Sequence, residues 1–177
     1  MTVSKFYPAI AIDIARKGHE GQMYGDKDYF TYHVTGVINS AVAIVIQSNK
    51  SLIETPQGVT HPIFAAVMAT AALHDWLEDC EYKDDHDAGI KHLLDSGIPQ
   101  FVTDAVLLLT KSDSTIIEEY LDNITENWLA LVVKRADMGF NIHNNILGGS
   151  SKRFKKYAKQ MQILLETPLT IPESLPI

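Results

Sequence analysis

The chain has 177 residues, of which 46 % are hydrophobic and 21 % charged, with 10 Gly and 7 Pro. These proportions fit one globular domain whose core needs no disulfide staple, and they exclude a disordered, collagen-like or disulfide-built chain. Asp and Glu number 22 against 15 Lys and Arg, leaving a net charge of −7, a surface that repels duplex nucleic acid.

The single cysteine, Cys80, allows no intramolecular disulfide and fits a reducing, cytoplasmic setting. Met1 to Phe6 lack a charged stretch followed by a long apolar core, so no leader peptide is expected. No run approaches ~18 uninterrupted apolar residues, so no membrane span is expected either.

In chain order, a first helix is predicted from near Pro8, a residue tolerated in a first helical turn. A second runs from about Thr31 to Gln47, with Val34, Val37, Ile38, Ala41, Val42 and Val45 at helical spacing. Ser48 to Thr60, with Pro56 and Gly58, reads as a loop. Phe64 to Leu77 reads as one buried helix, with Trp76 facing the core. The acidic run Asp84-Asp85-His86-Asp87 lacks the glycine and ligand spacing of a calcium loop, and Asp87 lies near a helix start. Gly97-Ile98-Pro99 separates that helix from one containing Phe101, Val102, Ala105, Val106, Leu108 and Leu109. Trp128 to Ala136 marks another helix, and Gly148-Gly149 breaks the chain after it. The following Ser150-Ser151 lack the Lys of a phosphate-binding loop. Phe154, Tyr157, Ala158, Met161, Leu164 and Leu165 form a last helical stripe. Alternating strand patterns are nearly absent. The fold class is therefore all-α, a bundle of about seven or eight helices.

The chemistry concentrates in Leu73-His74-Asp75-Trp76-Leu77-Glu78-Asp79, at the end of an apolar helix. On a continuous helix His74 stacks with Glu78 and Asp75 with Asp79, four residues apart. Burying four ionisable groups in so short a span is costly unless something compensates, and a divalent cation does so. Imidazole with carboxylate suits Mn²⁺, Fe²⁺ or Zn²⁺ better than Ca²⁺. On its own the segment also fits an exposed acidic helix end. His33 in an apolar helix alone also fits a core or surface histidine, and Asp137 at the end of another also fits a solvated acid, but with the His74-Asp75 doublet they make a set of two histidines and two carboxylates. Lys152, Arg153, Lys155, Lys156 and Lys159 make a basic cluster on an acidic chain. It is either a solvated helix face or a rim that attracts a polyphosphate.

The order of these elements resembles the HD-domain metal-dependent phosphohydrolases, most of all the (p)ppGpp hydrolase domain of RelA/SpoT enzymes and their stand-alone relatives. His19-Glu20-Gly21-Gln22 resembles the motif A-H-x-G-Q, and Phe30-Thr31-Tyr32-His33 resembles P-Y-x-x-H-P, with Tyr29 and Val34 replacing both prolines. Leu73-His74-Asp75-Trp76-Leu77-Glu78-Asp79 is similar to L-H-D-x-x-E-D, and Leu109-Thr110-Lys111 to V-T-K. Val133-Lys134-Arg135-Ala136-Asp137 with Asn141 resembles I-K-L-A-D-x-x-x-N, and Arg153 with Tyr157 resembles the pair flanking the substrate in the last helix.

The resemblance implies a single HD domain over residues 1–167, and the three prolines of 168–177 make that tail extended. It implies His33, His74, Asp75 and Asp137 as ligands of Mn²⁺ or another divalent transition metal. Glu78 and Asp79 would orient and deprotonate the attacking water. Asn141, Arg153, Tyr157 and Lys134 would bind the substrate. The implied reaction is loss of pyrophosphate from the 3′ position of (p)ppGpp. Gly21-Gln22 is followed by Met23-Tyr24 where the motif continues with basic residues. Another nucleotide or dinucleotide phosphate, such as NADPH, and a non-catalytic nucleotide-binding module therefore stay open as alternatives. The expected partner is a small nucleotide, with no nucleic acid and no membrane.

Overall fold

The computed structural model describes residues 6–112, 114–149 and 151–175. The expectations for residues 1–5, for Ser150 and for the last two residues of the tail lie outside the described residues. Among these, eight helices of 9 residues or more make an all-α bundle, as the apolar spacing predicts. They are α1 (Tyr7–Gly18), α2 (Thr35–Ser48), α4 (Pro62–Leu73), α6 (His86–Asp95), α7 (Gln100–Leu109), α8 (Ile117–Thr125), α9 (Trp128–Leu147) and α10 (Ser151–Glu166). Two one-turn helices, α3 (Ser51–Glu54) and α5 (Trp76–Asp79), are shorter; the first lies in the segment expected to be a loop.

The bundle is organised around α4 and α9. In α4, Ile63, Phe64, Ala66, Val67, Ala69, Ala71, Ala72 and Leu73 are all buried, and past Pro62 only Ala65 and Met68 are partly exposed, so the helix is apolar around nearly its whole circumference. Pro62 opens it, and the His61 side chain accepts from the Ile63 amide. It packs against α1, α2, α7 and α9. Asn127 caps α9, its side-chain oxygen accepting from the Leu129 and Ala130 amides at 3.0 Å each. The Arg135 guanidinium donates to the carbonyls of Leu164 and Thr167, tying the end of α10 and the residue after it to α9.

Phe30 to Ser48 is long and apolar enough, by length and composition, to cross a membrane. Here it is a core element: Val34, Val37, Ala41 and Val45 are fully buried, and α2 packs against α4 and α9. Its first turn, Phe30–Val34, is a wide π turn. Gly36 lies against the Phe140 ring of α9, so closely that an added Cβ would collide with it.

Two departures from the sequence expectation matter for the site. The Phe64–Leu77 run is not one helix. It ends at Leu73, and Asp75, at φ −107° and ψ 0°, begins the separate turn α5. Trp76 is buried as expected, at 1 % exposure. A small antiparallel hairpin, β1 (Met23–Tyr24) and β2 (Lys27–Asp28), precedes the π turn. Gly25, at φ +66°, makes its tight reversal possible.

Candidate metal centre

Three elements deliver the cluster. The π turn carries His33, the end of α4 carries His74 and the middle of α9 carries Asp137. Each offers a ligand atom, and these atoms lie within 4.8 Å of one another, with all three residues buried. The helix break turns Asp75 to the same point: its Oδ2 lies 2.9 Å from His74 Nε2 and 3.3 Å from His33 Nε2. The two Nε2 atoms are 3.3 Å apart, and Asp137 Oδ1 is 3.5 Å from His33 Nε2.

The tautomer of His74 follows from its surroundings. Its Nδ1 sits 2.8 Å from the Ala71 carbonyl, which only accepts, so Nδ1 carries a proton and Nε2 faces the cluster. A histidine held in this way is the usual arrangement for a metal ligand. His33 is held differently. Its Nδ1 is buried without a hydrogen-bond partner. Instead the Tyr24 ring stacks on it at 5.2 Å and 10°, and the Phe140 ring meets it edge-on at 5.2 Å.

Two imidazole nitrogens and two carboxylates converging on one point repel each other unless a cation lies among them. A proton partly answers this. Burial alone would lower the His74 pKa, but Asp75 and Asp137 outweigh it and push it up to about 9. Burial likewise would raise Asp75, yet His74 and His33 hold its carboxyl well below the usual carboxylate range. The same donor set can hold a divalent metal, and mixed nitrogen and oxygen ligands match transition ions.

Around these four side chains lies a shell of partners. Lys134 Nζ donates to Asp137 Oδ2 at 2.9 Å. Burial would lower the Lys134 pKa, but Asp137 holds the ammonium charged. Asn141 Nδ2 donates to Asp137 Oδ1 at 2.6 Å, and Asn141 Oδ1 accepts from the Tyr24 hydroxyl at 2.9 Å. Tyr29 donates to Asp75 Oδ2 at 2.5 Å.

Glu78 and Asp79 line the same cavity as His33, Asp75 and Asp137, a space of about 350 Å³. Neither carboxylate is free. Lys111 donates its backbone amide to Glu78 Oε1 at 2.7 Å, and its ammonium to Oε1 at 2.7 Å and Oε2 at 2.8 Å. Gln22 Nε2 donates to Asp79 Oδ2 at 2.9 Å, while Gln22 Oε1 meets His19 Nδ1 at 2.7 Å. His19 is buried and also lies 3.8 Å from the buried Cys80 thiol, which burial pushes up to about 12.

Of the residues expected to bind substrate, Asn141, Tyr157 and Lys134 line this cavity, together with Lys111 and Lys156. Arg153 does not. It lines a neighbouring space of about 600 Å³ beside Lys27 and Asn145, and Tyr24, Asn141 and Tyr157 border both spaces. The five basic residues of α10 are all exposed.

No family model matches the chain, and no curated protein matches it. The buried cluster of His33, His74 and Asp137 is consistent with an HD-like fold.

Sequence reasoning does not assign Tyr29 or Tyr24 to this site, while Gln22 stands in a matched motif and Lys156 in the basic rim. Tyr29 and Tyr24 enter the sequence reading only as departures from motifs. Lys111 stands in the Thr110-Lys111 motif, but nothing local shows that it would bind Glu78, 33 positions away.

Proposed function

We propose that this protein is a divalent-metal-dependent phosphohydrolase acting on a nucleotide phosphate. The observation that carries the reading is the buried cluster of His33, His74 and Asp137, opening on a cavity that Lys111, Lys134 and Lys156 also line. Acidic and imidazole ligands with ammonium groups lining the same cavity suit a phosphoryl group bound beside a cation. His33, His74, Asp75 and Asp137 would hold the metal, with Mn²⁺ as the ion that the resemblance implies. When bound, it supplies charge neutralisation at the phosphoryl group and a nucleophile from water near neutral pH.

The chain's own residues divide the remaining work. Lys111 and Lys156 draw the phosphate into the cavity. An arriving phosphate competes with Glu78 for the Lys111 ammonium and so frees a carboxylate to take a proton from water. Asp79, held by Gln22, orients that water. The water oxygen bonds to phosphorus, the P–O bond to the leaving group breaks, and the leaving oxygen takes up a proton. Asn141 and Tyr157 border both cavities and contact the sugar or phosphate between them. The adjoining space offers the Arg153 guanidinium to the rest of the nucleotide.

The most specific substrate is (p)ppGpp, with the 3′-ester bond broken and pyrophosphate released. Tyr24 favours a second reading. It stands where the resembled motif has a basic residue, and its ring is committed to His33. A different nucleotide or dinucleotide phosphate, NADPH among them, then takes the guanosine compound's place.

The test is a panel of (p)ppGpp, GTP and NADPH given to the full chain with Mn²⁺, with pyrophosphate and phosphate measured separately. Pyrophosphate from (p)ppGpp supports the first reading, and phosphate from NADPH the second. No release from any nucleotide by a protein with bound Mn²⁺ would overturn the enzymatic reading and leave a binding module.

A further inference from the structure

We propose that Tyr29 is a positioning residue of the metal centre: its phenol holds Asp75 so that Oδ2 faces both histidines. This inference rests on the metal-centre reading and adds to it a residue that the ligand set does not contain.

The contact is specific in its atoms. The Tyr29 hydroxyl donates to Asp75 Oδ2 over 2.5 Å, and an ionised carboxylate oxygen can only accept. Oδ2 is also the oxygen nearest His74 Nε2 and His33 Nε2, at 2.9 and 3.3 Å. The phenol therefore acts on the atom that would ligate the metal.

Asp75 needs such an anchor more than the other ligands do. His74 is held by the Ala71 carbonyl, and Asp137 by Lys134 and Asn141. Asp75 is the most open ligand, its side chain 19 % exposed against 2 % for each histidine and 8 % for Asp137. It follows a helix end rather than lying within a helix. Among the described residues, its side chain meets Tyr29 and the two histidines and no other hydrogen-bond donor.

Tyr29 is itself fixed. Its ring packs 4.9 Å from His19 and 4.9 Å from His33, and it stands at the entry of the π turn that carries His33. The two other tyrosines nearby spend their hydroxyls elsewhere, Tyr24 on Asn141 and Tyr32 on Asn144. The position corresponds to a proline in the resembled motif. Proline has no hydroxyl, so a chain with the motif's proline could not make this contact there.

A hydrogen-bond partner of a ligand fixes its orientation, and its loss weakens metal binding by about 10–100-fold. The experiment titrates Co²⁺ alone into metal-free full-length protein and follows its visible absorption. Tyr29→Phe keeps the ring and removes the donor. Its helical circular dichroism should match the wild type, its Co²⁺ affinity should fall by about 10–100-fold, and its absorption band should shift as Asp75 loses its fixed orientation. Tyr32→Phe, which removes a hydroxyl from the same turn but from no ligand, should leave both affinity and band as they are.

A Tyr29→Phe protein with wild-type affinity and wild-type band overturns the inference while the metal centre stands. A wild-type protein that takes up no Co²⁺ overturns the metal centre and this inference with it. A second measurement needs no variant. In the Zn²⁺-loaded wild type, the Tyr29 hydroxyl proton should give a slowly exchanging downfield resonance; exchange at the rate of a free phenol overturns the assignment.

Discussion

Lys111 grips Glu78 from two directions, with its backbone amide on one carboxylate oxygen and its ammonium on both. On the proposed reading, this arrangement stores the general base as half of an ion pair. Glu78→Gln should keep metal content at the wild-type level and lower kcat by about 100–10,000-fold, the usual span for removal of a positioned base. Metal analysis beside steady-state kinetics on the same sample checks it. A variant that turns over at the wild-type rate would leave Asp79 as the group that takes the proton.

Asp137 holds the buried Lys134 ammonium and, on the proposed reading, would hold the metal as well. Asp137→Ala should abolish metal binding and also destabilise the metal-free protein by about 3–5 kcal/mol, because it leaves a buried charge unpaired. Asp137→Ala combined with Lys134→Met should recover much of that stability and none of the metal binding. Urea denaturation of the metal-free proteins separates the two effects.

Metal-free stability should decline on both sides of a mildly acidic plateau. The His74 pKa rises from the ordinary 6.5 to about 9. Its pairing with Asp75 and Asp137 therefore stabilises fully below 6.5, and that contribution is lost as pH climbs through about 9. Asp75 and Asp137 are depressed below 3.8, so they stabilise above that value and their contribution is lost as pH falls through their folded values. Metal must displace the His74 proton, so affinity should rise with pH and binding should release protons. Calorimetry in buffers of different ionisation enthalpy measures that release.

Gly36 should tolerate no side chain. An alanine there meets the Phe140 ring, and the resulting overpacking should cost about 1–3 kcal/mol. Phe140 also borders His33. Gly36→Ala should therefore lower the thermal midpoint and weaken metal affinity together, whereas a purely local packing defect would spare the affinity.

The long helices were legible because their apolar residues recur at helical spacing and are buried in the core, as in Val34, Val37, Ala41 and Val45 of α2. The four candidate ligands were legible only through the motif resemblance, since a lone histidine or aspartate in an apolar helix is ordinary by itself. What periodicity does not carry is where a helix stops. Leu73 to Leu77 continues the apolar pattern, yet α4 stops at Leu73 and Asp75 turns toward His74 and His33. Long-range partners are invisible for the same reason: Lys111 with Glu78 and Tyr29 with Asp75 are set by tertiary geometry. Arg153 carries the charge expected of a phosphate contact, but it lines the adjoining space.

The wide turn at Phe30–Val34 sets the phase between everything before it and the core helix after it. A helical residue advances the chain by about 100° of rotation. Deleting one residue from that turn would leave the stripe of α2 seated as before while swinging the preceding hairpin, with Tyr24 and Tyr29, to another side of the axis. The scaffold could thus survive a loss that dismantles the reactive pocket, so a shortened relative with an intact core would be a poor witness to the chemistry.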